Sequence, residues 1–264
     1  MFSALYQFDV GNYKRTTPGS NVISVTGTAA GDFNKANLTN DILRQVWRSE
    51  DVLDWQEIVI EADQSTAIDT FAILNHNLTE SAVINLQANI GNNFLAPPVN
   101  LFLPWNKLHI VYTTALGASY KFYKIRILDP TNPCGYIQIG RIVGGRALTM
   151  QVFEDITDDV KIGWKDQAKQ MATEGFFRAS NENVKIRTLD VKFSKLYTVA
   201  TKNANYLGLR ALFDYVGTTR PFLAIPNRDD PSFNCIWGQV KDIPDESFTI
   251  NGFVSFPLKV EECY

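Results

Sequence analysis

Histidine and cysteine are scarce in this 264-residue chain, which holds only His76 and His109, and Cys134, Cys235 and Cys263. An odd number of cysteines without a CxxC spacing fits no disulfide framework, and so few metal-seeking side chains fit no zinc cluster. A basic surplus is also missing. Twenty-five Lys and Arg against 28 Asp and Glu leave a net charge of −3, which disfavours generic or sequence-specific nucleic-acid binding. Apolar runs such as Phe71-Ala72-Ile73-Leu74 fall well short of the roughly 20 residues that cross a bilayer, so no membrane span is expected. The start, Met1 to Asp9, lacks a basic stretch, a sustained apolar segment and a small-residue cleavage site, the pattern of a non-secreted chain. No Gly-x-Ser-x-Gly elbow, phosphate loop or dinucleotide fingerprint is present. The acidic clusters Glu154 to Asp159 and Asp229-Asp230 lack calcium-loop spacing and read as solvated loops. No catalytic residue, cofactor or metal is therefore expected.

What is present is apolar material in short alternating runs. Hydrophobic residues make up 45% of the chain and aromatics 12%, enough for one large core or two ordinary ones. In Lys121 to Leu128, Tyr123, Ile125 and Ile127 share one face while Lys124 and Arg126 point the other way, the mark of a half-buried strand. Ile58-Val59-Ile60 and Phe71 to Leu74 are apolar on both parities and should be central strands. Val83 to Ala88, Leu108 to Tyr112 and Tyr136 to Val143 complete about six or seven strands before residue 147, a number suited to a sandwich or jelly roll. Later, a parity change near Arg187-Thr188 predicts a bulge. Ile250, Val254, Phe256, Leu258 and Val260 predict a long strand that Pro257 marks as an edge. One helix is predicted over Asn203 to Val216, with a stripe of Ala204, Leu207, Ala211 and Tyr215 and a terminating Gly217. A shorter helical turn is predicted over Asn40 to Arg48, and the polar stretch Glu154 to Asn183 reads as a linker with an extended loop.

Few side chains stand out as chemical candidates. His76, between Asn75 and Asn77 at a strand end, is suited either to ligand work or to bonding turn backbone, and the second is favoured. His109, inside an apolar strand, reads as a satisfied core histidine. Cys134 and Cys235 read as packing residues, and the glycines of Gly140 to Gly145 as a strand end that turns. Phe94 and Trp105 lie in Pro- and Asn-rich loops, where a flat ring can stack on a sugar, meet a neighbouring subunit or plug its own sandwich.

Trp47-Arg48-Ser49, Trp55 to Ile60, Ile68 to Leu78 and Tyr136 to Gly145 follow one another in an order that resembles the motifs of discoidin-type (coagulation factor 5/8 C-terminal) jelly rolls. The version carried by bacteriophage minor tail proteins is the most similar, and the resemblance covers about residues 20 to 147. Less specifically, residues 150 to 264 resemble the β-sandwich with one flanking helix of tail-tube and distal-tail ring proteins. The resemblance implies a mainly β protein with a jelly-roll domain over 1–147 and a tail-tube-like sandwich over 148–264 carrying helix 203–216. It also implies a non-enzymatic virion subunit of a long-tailed phage, made in the host cytoplasm. Its partners would be copies of itself in a ring, joined through the strand ending at Val260 and the loop from Met171 to Asn183, and other tail proteins. The eukaryotic members bind lipids or glycans, and the alternative it leaves is a carbohydrate-binding module that holds host-surface glycan through Phe94 or Trp105.

Overall fold

The computed structural model describes residues 2–5, 22–29, 31–113, 115–150, 160–165, 170–172, 178–180, 185–197, 204–232, 234–243, 245–248 and 253–263. In chain order the strands are β1 (Phe2–Leu5), β2 (Val22–Val25), β3 (Trp47–Arg48), β4 (Gln56–Ala67), β5 (Thr70–His76), β6 (Val83–Asn89), β7 (Val99–Phe102), β8 (His109–Tyr112), β9 (Ser119–Leu128) and β10 (Gln138–Gly145). They continue with β11 (Leu148–Met150), β12 (Lys161–Lys165), β13 (Gln170–Ala172), β14 (Arg178–Ser180), β15 (Ile186–Tyr197), β16 (Phe222–Ile225), β17 (Ile236–Val240), β18 (Ser247–Phe248) and β19 (Phe253–Glu262). The α-helix α1 (Ala204–Val216) lies between β15 and β16.

Two antiparallel sheets form a jelly-roll sandwich, one of five strands ordered β2-β4-β9-β6-β7 and one of four ordered β3-β10-β5-β8. Its core is the inward parity the sequence marks out, with Ile58, Ile60, Phe71, Ile73, Ile84, Leu86, Tyr123, Ile125 and Ile127 all buried. A third sheet, ordered β11-β1-β16-β17-β19-β15-β12 with β18 beside β19, packs one face on α1. Its other face meets the four-stranded sheet, where Ala72, Leu74, Val111 and Val143 pack against Leu223, Ile225, Cys235 and Trp237. The chain is thus mainly β and layered, and β5 is apolar on both parities because it is covered on both sides. Strand β1 pairs with β11 and β16 rather than with the jelly roll. The sandwich is therefore built from chain that leaves the third sheet after β1 and re-enters it at β11.

Several expected details are corrected. The helical turn over 40–48 is instead a 3-10 helix at Lys35–Thr39 followed by irregular chain. Asn40 ends that helix and accepts a bond from Ile42 N at 3.1 Å, while Ile42 itself is exposed. Helix α1 does end at Gly217, with φ 53° and its N–H on Phe213 O. Its buried stripe, however, is Tyr206, Leu209, Leu212, Phe213 and Val216, and Leu207 and Ala211 face solvent. Both stripes have helical spacing, and the one with larger apolar area faces the sheet. The bulge in β15 lies between Phe193 and Leu196, not at Arg187-Thr188. Strand β19 is interior, between β15 and β17. Pro257 is tolerated because β17 pairs with Val260 to Glu262 and β18 with Val254 and Ser255, so neither strand faces it on that flank. Ile250 and the Glu154 to Asp159 cluster lie outside the described residues. Within the polar stretch, β12 joins the third sheet and β13 pairs with β14, so that stretch is not wholly a linker. Gly140 lies within β10, and Gly144-Gly145 are the last two residues of that strand.

Candidate functional site

A cleft of about 450 Å³ opens where the end of the jelly roll meets the third sheet. One wall is the β7–β8 connection and β8 itself, with Trp105 and Tyr112; the other is the β16–β17 connection, with Arg228, Asp229, Asp230 and Ser232. The two walls are bolted together. Val111 N donates to Ser232 Oγ at 3.1 Å, Thr113 Oγ1 donates to Arg228 O at 3.2 Å, and Arg228 Nη2 donates to Thr113 O at 3.1 Å. These bonds also cover the outer edge of β8, which would otherwise present unpaired backbone groups.

Trp105 is held rigidly. Its Nε1 donates to Leu78 O at 2.9 Å and its ring rests on the sandwich core, leaving part of the indole in the cleft. Leu78 is fixed in turn by His76, whose Nδ1 accepts from Leu78 N at 3.2 Å. Burial lowers the His76 pKa to about 4, against the opposing charge of Asp129, so the ring is a neutral acceptor near pH 7. Asn77 ties the same corner to the start of β10, its Oδ1 accepting from Gln138 N at 2.7 Å and its Nδ2 donating to Tyr136 O at 2.9 Å. Asn75 adopts φ 52°, a left-handed conformation Asn tolerates, and its Nδ2 reaches Leu43 O at 2.6 Å. His76 is therefore a brace for the Trp105 contact, while Asn75 and Asn77 tie the same corner to Leu43 and to β10.

His109 is buried at the junction of the sheets. Its Nε2 lies 3.2 Å from Arg187 Nη2, and burial, reinforced by the Arg187 charge, lowers its pKa to about 3. Arg187 is bound by Glu262, whose Oε1 accepts from Nε at 2.8 Å and also from Nη2. Among the cysteines, burial pushes the Cys235 thiol up to about 12 and Cys263 up to about 11. Cys134 is exposed in a turn, a correction to its reading as a packing residue. Among the described residues no three His, Cys, Asp or Glu side chains are grouped to hold a metal ion. No helix among them is long and apolar enough to cross a membrane.

Phe94 and Trp105 are not brought together. Phe94 lies in the β6–β7 connection and Trp105 in the β7–β8 connection, so β7 separates them. Phe94 covers Lys124 on the outer face of the five-stranded sheet, the ring centroid 4.7 Å from Nζ. In the sequence the wall supplied by Arg228 to Ser232 showed only as the acidic pair Asp229-Asp230 of a solvated loop, since only the three-layer packing sets it beside Trp105.

No family model and no curated protein matches this chain. Among solved structures it is similar to a family 32 carbohydrate-binding module of a family 31 glycoside hydrolase from Clostridium perfringens, with 14% identity, a TM-score of 0.38, and 49% of this chain and 94% of that one covered. It is also similar to the family 32 module of NanJ from C. perfringens in complex with galactose, at 16% identity and TM-score 0.37, covering 55% of this chain and 98% of that one. A chitosan-binding module from a Paenibacillus chitosanase/glucanase is similar at 11% identity and TM-score 0.38, covering 50% of this chain and 100% of the module.

Proposed function

We propose that the chain is a non-catalytic carbohydrate-binding protein whose sugar site is the cleft between the jelly roll and the third sheet. The observation that carries this reading is an immobilised, part-exposed Trp105 facing a wall of polar groups in an open cleft of about 450 Å³. A sugar ring has a flat C–H face that packs on an indole and a rim of hydroxyls that need polar partners. Here Asp229 and Asp230 provide acceptors and Tyr112 a second ring. Both histidines are neutral, His109 beside Arg187 and His76 as an acceptor for Leu78 N, and the Cys235 thiol is buried and protonated, which suits binding rather than turnover.

A glycan array probed with the full chain tests this. Trp105→Ala should weaken any captured neutral sugar at least about tenfold, and Asp229→Asn, on the exposed wall, should weaken it without touching the core. Absence of binding to every sugar, or full binding by both variants, overturns the reading. Because both units line the cleft, the jelly roll alone should bind poorly.

A second reading, the ring-forming virion subunit, is favoured by β12. Among the described residues this strand pairs only with β15, and it carries Trp164 at 67% exposure. The strand first expected to provide such an edge, ending at Val260, is interior. Light scattering of the purified chain tests it: a closed oligomer that Trp164→Glu disperses supports a ring, and a monomer at high concentration removes it.

A further inference from the structure

We propose that the outer face of the five-stranded sheet is a second binding site, centred on Arg126 and Lys124, for a carboxylate-bearing saccharide of the uronic acid class. The saccharide half of this assignment rests on the carbohydrate reading above; the anion half stands on the face itself. The register sets Glu57, Arg126, Asn85 and Phe102 in one row across β4, β9, β6 and β7. Val59, Lys124, Gln87 and Asn100 form the next row. Directly paired side chains project to the same side, so both rows rise from the outer face, with Val59, Asn85 and Gln87 covered by their neighbours.

The charges on this face do not balance. Glu57 serves two cations at once, with Oε1 2.8 Å from Arg126 Nε and Oε2 3.1 Å from Lys124 Nζ. The other described acid of this face, Glu61, is taken by Lys121 at 2.8 Å. Among the described side chains, three cations against two carboxylates leave one positive charge, in a chain whose net charge is −3. Arg126 is also incompletely used: it reaches Glu57 through Nε, and among the described residues its two Nη groups donate to nothing. A guanidinium with both Nη groups available is the side chain best suited to bidentate capture of a carboxylate. It is already positioned, with Cζ 4.4 Å from the Trp55 ring centroid, as Lys124 is positioned by Phe94. Ordering these long side chains in advance lowers the entropic cost of binding.

The floor of the face points to a hydroxylated ligand rather than a bare anion. Asn85 and Gln87 are only 3% and 6% exposed, and Asn85 Oδ1 and Gln87 Oε1 are buried without a donor. They are covered in the free protein, so a ligand hydroxyl gains these acceptors only as the side chains above them move aside. A uronic acid residue provides a carboxylate for Arg126 and Lys124, hydroxyls for the carboxamides, and a C–H face for Phe94 or Trp55.

Titration calorimetry of the full chain with oligogalacturonate, neutral dextran and dextran sulfate tests the assignment. Oligogalacturonate should bind. Arg126→Gln should weaken it about tenfold or more, whereas Arg126→Lys, which keeps the charge but not the fork, should lose less. Trp105→Ala should bind oligogalacturonate as the parent does. Unchanged binding in both Arg126→Gln and Lys124→Gln, or dextran sulfate binding without oligogalacturonate binding, overturns the proposal. Loss in Trp105→Ala alone moves the ligand to the cleft, which sinks this site and keeps the carbohydrate reading. Oligogalacturonate held by Arg126 while no sugar occupies the cleft does the reverse. Thermal unfolding of Arg126→Gln within a few degrees of the parent shows that a loss is not misfolding, and Phe94→Ala provides an independent second variant.

Discussion

The ion pair between Arg187 and Glu262 provides the sharpest test of the three-layer packing. Both side chains are nearly out of water, at 7% and 3% exposure. The carboxylate is fully committed, with Oε1 on the guanidinium and Oε2 accepting from the Arg187 backbone N–H at 3.0 Å. Glu262→Gln keeps the shape but removes the charge, and turns one acceptor into an NH₂ that faces another donor. Removing one partner of a buried pair costs about 3–5 kcal/mol, because the remaining charge stays desolvated. At about 2–4 °C per kcal/mol for a body of this size, the thermal midpoint should fall by roughly 10 °C. Replacing both partners by apolar residues, Arg187→Met with Glu262→Leu, should cost less than either single change, since no charge is then stranded. Urea unfolding followed by tryptophan fluorescence reads the effect directly, with Trp237 at the same junction. A shift below about 1 kcal/mol for Glu262→Gln would refute the reasoning, since that is the range of a solvated surface pair.

Two other outcomes follow from the same structure. His109 and His76 titrate near 6.5 when unfolded but near 3 and 4 in the fold. The unfolded chain therefore binds more protons between those values, and stability must decline as pH falls from about 6.5 toward 4. The His109 share is at most about 5 kcal/mol; thermal midpoints across that window should show the decline, and His109→Asn should flatten it. Gly140→Ala should destabilise by about 1–3 kcal/mol, because a Cβ there would stand 2.7 Å from Leu43 O and 2.9 Å from Asn75 Cβ. A melting curve superimposable on the parent's would contradict that close approach.

The jelly roll was legible because parity is a local property: Tyr123, Ile125 and Ile127 announce their inward side from spacing alone. Phe71 to Leu74 also announced burial on both faces, although the partner on the second face, Leu223, Ile225 and Trp237, is about 150 residues away and nothing local identifies it. Pro257 misled because an edge is a property of neighbours, and the gap between β17 and β18 does for it what an edge would have done. Trp105 was legible as a loop aromatic, but the opposite wall of its cleft was not. Arg126 was read only as the wet side of a strand, and the sharing of Glu57 between two cations appears once three strands are in register.

Strand β1 changes what kind of attachment the jelly roll has. The lobe departs from the third sheet at Leu5 and rejoins it at Leu148, and these two residues lie on adjacent hydrogen-bonded strands. It is thus a loop on two anchors rather than a bead on a string: one backbone break leaves it fastened by the other root, and a load on the lobe is shared between both roots and the apolar junction beneath it.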